Sequence, residues 1–187
     1  LLAVYSAAVL LGAGSMEVLT ILSDLGSVSG RLEVIRSRGG ITGIVDYAHT
    51  PDALVNVIST LNKIRKSDVS LITVVGAGGD RDRTKRPKMA AISAEGSTRL
   101  ILTSDNPRTE DPEKILDDME EGLTADMRKR SLRICDRREA IKTAVMLANS
   151  GDVILVAGKG HETYQEVNGV KHHFDDREEL RKALSDK

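Results

Sequence analysis

Aromatic residues are almost missing from this 187-residue chain: Phe, Tyr and Trp together make up 2%, and Trp is absent. A core must therefore be built from Val, Ile, Leu and Ala. Cysteine is nearly missing too. The single Cys135 excludes an internal disulfide and agrees with a reducing compartment. It follows the apolar "LRI" and reads as a buried thiol rather than a nucleophile. The formal net charge is only −1, so no global field attracts nucleic acid or an anionic membrane. Long apolar runs are absent except at the start. There, "LLAVYSAAVLLGAG" is too short to span a bilayer and is interrupted by Tyr5 and Ser6. It has no basic flank, which argues against a signal-peptide core. It reads as a buried helix ending at Gly12 or Gly14. Residues 1–28 are then expected to be the tail and linker of a preceding domain, and residues 29–187 a domain of their own.

With 40% apolar and 29% charged residues, the rest has the balance of a globular chain. From Gly30 onward one pattern recurs. A short β-branched run ends in a polar or Gly-rich loop, and a helical segment follows. "GITGIVDYAHTP" leads into "DALVNVISTLNKIRK", and "VSLITVVGAGGDRDRTKRP" into "KMAAISAEG". "RLILTSDNPRTEDP" leads into "EKILDDMEEGL", and "LRICD" into "RREAIKTAVMLANSG". "DVILVAGKGHETYQ" is the last strand and loop before "DDREELRKAL". The runs are short and continuous, as expected of parallel strands covered on both faces. Thr50-Pro51 and Asp111-Pro112 place a capping residue before Pro at a helix start. Asp136 with Glu139, and Asp175 with Glu178, have capping-box spacing. The predicted fold is α/β: a Rossmann-like, open, mostly parallel doubly wound sheet with helices on both faces. A front hairpin over "GRLEVIRSRGGITGIV" turns at Gly39-Gly40.

In such a sheet every strand-to-helix loop emerges at the carboxyl ends of the strands, where these folds bind ligands. Four loops there carry chemistry: "DYAHTP", "GAGGDRDRTKR", "DNPR" and "GKGHE". One composite site is the better reading. Neither common phosphate fingerprint is present. G-x-x-x-x-G-K-[ST] does not occur, and "GAGGDR" has Arg81 where the dinucleotide pattern needs its third Gly. If the protein uses ATP, another domain must hold most of the triphosphate.

Each loop carries two readings. Arg81, Arg83, Lys85 and Arg86 form either an anion site for a carboxylate or phosphate, or a solvated basic loop neutralised by Asp80 and Asp82. Their place at the sheet edge favours the anion site. Asp46 is positioned to accept from ribose hydroxyls and His49 to meet a ligand; a strand end with a satisfied surface His explains them equally well. In "AGKGHE" two glycines flank Lys159, and Glu162 is an acceptor for a substrate ammonium; the alternative is a tight turn with incidental charges. A pocket holding both Arg and Glu suits a zwitterionic ligand. In "DNPR", Pro107 fixes the chain direction, pushes Asn106 towards extended backbone and aims Arg108. A guanidinium aimed this way pairs bidentately with a carboxylate; the alternative is a β-turn with an exposed Arg. No zinc spacing joins Cys135 to His161, and His172-His173 reads as a surface pair.

The loops together carry a resemblance. "GRLE" at Gly30, "VDYAHTPDAL" at Val45, "GGDRDRTKRPKM" at Gly78, "DNPRTEDP" at Asp105 and "AGKGHETYQ" at Ala157 occur in this order. The chain thereby resembles the C-terminal domain of the Mur ligases, above all the members that add meso-diaminopimelate. The resemblance implies a Rossmann-like domain that takes the incoming amino acid and closes over ATP and Mg2+ held mainly by a central domain. Arg31 would lie near the phosphates and Asp46 at the ribose, with His49 in the same nucleotide-facing loop. Arg81, Asp105, Asn106, Pro107, Arg108, Gly158 and Glu162 would form the diaminopimelate site.

The implied partners are meso-diaminopimelate, UDP-N-acetylmuramoyl-dipeptide and the central domain of the same protein. No nucleic acid or membrane is expected, and the implied location is cytoplasmic. The implied reaction is amide formation through an acyl phosphate, in which this stretch supplies positioning and no catalytic residue. Isolated residues 1–187 are therefore expected to be inactive. Thr84 stands where Gly is frequent, and Lys88 where an apolar residue is frequent. Two other readings compete. One is a non-catalytic α/β module that binds an anion or a partner protein. The other is a lysine-adding or folate-type relative, against which Arg108 argues, because lysine has no second carboxylate for it to pair with.

Overall fold

The structure, a computed structural model, describes residues 1–24 and 28–187. Six strands form the main sheet. β1 (Glu33–Arg36) and β2 (Thr42–Asp46) make the antiparallel front hairpin, with Gly40 at φ 84° in its turn. β3 (Leu71–Val75), β4 (Arg99–Leu102), β5 (Ser131–Arg133) and β6 (Val153–Ala157) run parallel to β2. The order is β1-β2-β6-β3-β4-β5. The last parallel strand thus inserts between β2 and β3.

The strand sequences explain the two layers of helices. Side chains alternate faces along a strand. Leu71, Val75, Leu100, Leu102 and Leu155 face one cluster, and Ile72, Val74, Ile101, Ile154 and Val156 face the other. The first is covered by α3 (Pro51–Ile64), α4 (Lys85–Gly96) and α5 (Pro112–Glu120). The second is covered by α7 (Arg137–Leu147) and α8 (Asp176–Ser185). A short α6 (Ala125–Lys129) precedes β5. Burying each large aliphatic side chain stabilises the fold by about 1.5–3 kcal/mol, and the sheet is doubly covered because both faces are apolar.

The expected caps are present. Thr50 accepts from the Ala53 N–H, Asp111 from Glu113, Asp136 from Glu139 and Asp175 from Arg177. Neither expected capping box closes among the described residues: the Glu139 carboxylate accepts from Lys142 Nζ at 2.7 Å, and that of Glu178 meets His173 Nε2 at 2.8 Å on the surface. Cys135 is half-buried and its thiol is pushed up to about 11, first by burial and then by the carboxylate of Glu113. It is a poor nucleophile, as its sequence setting implied.

Two expectations need correction. The opening segment forms α1 (Leu2–Leu10), closed as expected at Gly12 with φ 95°, and then a second helix that was not expected, α2 (Ser15–Ser23); within this chain neither is buried. Only Val18 is buried, while Leu2, Leu10, Leu11 and Met16 are largely exposed. The two helices pack on each other and give no residue to either core cluster. The boundary expected near residue 28 abuts residues 25–27, which lie outside the described residues. The second correction concerns "GKGHETYQ". The chain does not pass from this loop directly to α8 but forms an antiparallel hairpin, β7 (Tyr164–Val167) with β8 (Val170–His173). Asn168 and Gly169 turn it at φ 49° and 76°. Both central residues in the left-handed region define the turn that matches strand twist, and Asn-Gly is its preferred sequence. That dipeptide was the signal in the sequence.

Candidate functional site

β2, β6, β3 and β4 are consecutive neighbours, so the four chemistry-bearing loops stand side by side at their carboxyl ends. They enclose one pocket of about 370 Å³. His49, Arg81, Asp105, Asn106, Arg108, Gly158 and Glu162 all line it. Arg31, Asp46 and Pro107 do not.

The loop after β3 separates its cations. Arg86 is 1% exposed and is held by Glu110 at 2.9 and 2.7 Å, by Asp118 at 2.7 Å and by the Gly78 carbonyl at 3.2 Å. Hydrogen bonds from Arg86, with a further one from the Asp80 N–H, hold the Glu110 carboxyl down at about 2. Arg83 pairs with Asp118 at 3.0 Å and Lys85 with Asp82 at 3.9 Å. Arg81 is exposed and has no carboxylate within 4 Å among the described residues. Of the four basic residues anticipated here, Arg81, Lys85 and Arg86 line the pocket and Arg83 does not, and Arg81 is the one without a carboxylate partner among the described residues. Of the two neutralising partners expected, only Asp82 pairs with a basic residue of the loop, Lys85. Asp80 turns instead to Thr109, and Glu110 and Asp118 arrive from further along the chain. Thr84 sits at φ −65° and ψ −16°, ordinary helical backbone, so the departure from Gly there introduces no strain.

The loop after β4 is clamped by the hairpin. Arg108 occupies a left-handed conformation at φ 53°, uncommon for a non-glycine residue. Its N–H donates to the Glu166 carbonyl at 3.0 Å, and its carbonyl accepts from Asn168 N–H at 2.6 Å. Its Nη1 donates to the Gly79 carbonyl at 2.7 Å, and its Nε lies 3.7 Å from Glu166 Oε2. Gln165 reaches the Asp105 carbonyl at 2.7 Å. Pro107 is therefore not the sole source of Arg108's direction; β7 supplies the rest.

Two carboxylates face these guanidinium groups. Asp105 is 8% exposed, and its carboxylate has no hydrogen-bond partner among the described residues. Glu162 accepts from Asn106 Nδ2 at 2.9 Å and from Lys159 Nζ at 3.2 Å. Both bonds fall on Oε2. Gly158, at φ 121°, lies so close to Asp105 that a Cβ there would sit 2.6 Å from Oδ2. Only glycine keeps both the conformation and the approach.

At the β2 side, Asp46 is buried, and its oxygens accept from the Leu32 and Ala48 N–H groups at 2.8 and 2.9 Å. It ties the segment before β1 to the end of β2. Arg31 stacks over the Tyr47 ring at 4.9 Å. The rings of His49 and His161 lie 4.6 and 5.1 Å from Tyr47, and His49 Nδ1–H donates to the Tyr47 carbonyl at 2.8 Å. This bond leaves His49 Nε2 as the outward nitrogen.

The sheet order and the pocket at its strand ends define a Rossmann-like α/β domain. The family model for "Mur ligase, glutamate ligase domain" matches residues 30–160, and the chain belongs to that family. It is 59% identical over 185 residues to the UDP-N-acetylmuramoyl-L-alanyl-D-glutamate–2,6-diaminopimelate ligase of Bacteroides thetaiotaomicron, and 60% identical to the ligase of the same name from Parabacteroides distasonis. Each match covers 99% of this chain and 38% of the relative, so the chain spans well under half of those proteins. A solved structure of a ligase of that name superposes with a TM-score of 0.78 at 46% identity, covering 98% of this chain and 37% of the other.

Proposed function

We propose that this chain is the amino-acid-binding C-terminal domain of a ligase that adds meso-diaminopimelate to UDP-N-acetylmuramoyl-L-alanyl-D-glutamate in the cytoplasm. The observation that carries this reading is the convergence of Arg81 and Arg108 with Asp105 and Glu162 on one pocket. Free or half-free guanidinium groups facing carboxylates are complementary to a ligand with both carboxylate and ammonium groups. The names of relatives at 59–60% identity support the choice of amino acid. Diaminopimelate has a second amino-acid head, and a guanidinium aimed at its carboxylate would be left unpaired by lysine.

Residues 1–28 fit the end of a preceding domain, since their helices expose apolar side chains that no other described residue covers. Arg31, stacked on Tyr47, and outward-facing His49 fit an anionic nucleotide beside the pocket. Asp46, with both oxygens already engaged once, keeps a second lone pair on each for a ribose hydroxyl. ATP with Mg2+ would supply the phosphoryl group that activates the acceptor carboxylate. The work of this chain is to bind the amino acid, hold its amine towards that centre and exclude water.

The test is substrate competition in the full-length ligase carrying this domain. meso-Diaminopimelate is expected to be preferred over lysine by roughly 10⁴-fold in kcat/KM, the range of sites that pair a substrate's polar group. Arg108→Ala is expected to remove most of that preference while leaving the KM for ATP within about twofold. Equal use of lysine by the unaltered enzyme would overturn the assignment. The isolated 187 residues are expected to show no diaminopimelate-dependent ATP hydrolysis.

A further inference from the structure

Lys159 is the one lysine among the described residues buried to 0% exposure. Isolating an ammonium from water costs several kcal/mol unless it is paired and hydrogen-bonded. Here Nζ donates to Asn106 Oδ1 at 3.0 Å and to Glu162 Oε2 at 3.2 Å, and it lies 5.5 Å from the centre of the Tyr164 ring. Gly158 and Gly160 on either side have positive φ, and Glu162 N–H donates to the Lys159 carbonyl at 2.9 Å. The tight turn read from the sequence is real, but its charges are not incidental, because it folds Lys159 inward beneath the pocket.

The consequence runs through Asn106. Its Oδ1 accepts both from Lys159 and from the Glu166 N–H at 2.9 Å. Two donors at that position allow only one orientation of the amide, so Nδ2 must turn to Glu162 Oε2. Oε2 thereby receives two donors, while Oε1 receives none among the described residues. The carboxylate is anchored by one oxygen and presents the other.

We infer that Lys159 is a positioning residue for the amino-acid substrate: its buried ammonium locks Asn106 and Glu162 so that Glu162 offers its free oxygen to the ligand's ammonium. An apolar side chain here would leave Asn106 Oδ1 with only the Glu166 N–H and Glu162 Oε2 without its cation, so the carboxylate would be held by a single neutral donor. The inference rests on the proposed amino-acid site.

The test uses steady-state kinetics of the full-length ligase with Lys159→Met, Lys159→Gln, Glu162→Gln and the double variant Lys159→Met/Glu162→Gln. Lys159→Met is expected to raise the KM for meso-diaminopimelate by roughly 30-fold, as for truncation of one partner in a buried charge pair. The KM for ATP should stay within about twofold. Glu162→Gln should raise the first KM comparably, and the double variant should be no worse than the poorer single one, because both act through one carboxylate. Should Lys159→Met not yield folded protein, Lys159→Gln, which keeps a donor without the charge, carries the same comparison. A folded Lys159 variant with unchanged diaminopimelate KM, equal rises in both KM values, or additive effects with Glu162→Gln would overturn the positioning role. If Glu162→Gln itself left the diaminopimelate KM unchanged, the amino-acid reading of Glu162 would fall, and the inference with it.

Discussion

The loops after β3 and β4 both bring arginine to the same pocket, by opposite routes. The β3 loop carries four basic residues in six positions and commits Arg83 and Arg86 to carboxylates that come from beyond β4, Glu110 and Asp118. Arg86 straps it to Glu110 and Asp118, and Arg81 is left without a carboxylate partner among the described residues. The β4 loop carries a single Arg108, held by a hairpin from another part of the chain. In the first case availability comes from what the neighbours do not use. In the second it comes from what the neighbours clamp. A basic cluster in a sequence therefore measures neither the number nor the place of the charges a ligand meets.

The comparison can be broken most strongly at Arg86. Arg86→Met removes the shared partner of Glu110 and Asp118, and is expected to cost about 2–3 kcal/mol in urea denaturation. That is below the figure for a fully buried pair, because both carboxylates keep some contact with water. Acid sharpens the same point. Glu110 is depressed from its ordinary 4.5 to about 2. A depressed carboxyl contributes its stabilisation above the unfolded value and loses it as pH falls through the folded one. The urea midpoint is thus expected to carry a Glu110 contribution that disappears between about pH 4.5 and 2, and Arg86→Met should flatten that part of the profile.

On the β4 side, Gly169→Val places a β-branched residue at φ 76° in the hairpin turn. It is expected to lower hydrogen-exchange protection of the Arg108 amide by about tenfold, with β3 and β6 unaffected, since the clamp and the sheet core are separate structures. The smallest effect on stability is expected at Arg81. Arg81→Met should leave it within about 0.5 kcal/mol, as for an exposed side chain without a partner. Loss of several kcal/mol there would erase the distinction between the strapping arginine and the pocket-lining one that has no carboxylate partner among the described residues.

Much of this was readable in order along the chain. Thr50, Asp111, Asp136 and Asp175 each cap the helix they precede, because capping involves groups two or three residues apart. The alternation of short apolar runs with helical segments placed four loops at one edge, because parallel connections leave no other arrangement. Other features were less legible. The hairpin over residues 164–173 was announced by Asn168-Gly169, but the polar Gln165 and Glu166 and the pair His172-His173 obscured any apolar face. The exposure of α1 and α2 was not legible either, since an apolar composition does not say what is present to cover it.

The sequence by itself determined the doubly wound α/β architecture, the composite pocket edge and, through five ordered motifs, the family. Local propensity, face alternation and connection geometry act over a few residues or through simple topology, and all are written in order. The tertiary structure alone decided which charges are spent and which remain. Arg86 meets Glu110 and Asp118 across 24 and 32 residues, Arg108 is clamped by Glu166 and Asn168, and Lys159 is enclosed under Asn106 across 53. Coulombic pairing and desolvation depend on distance in space and access to water, and neither quantity exists until the chain has folded.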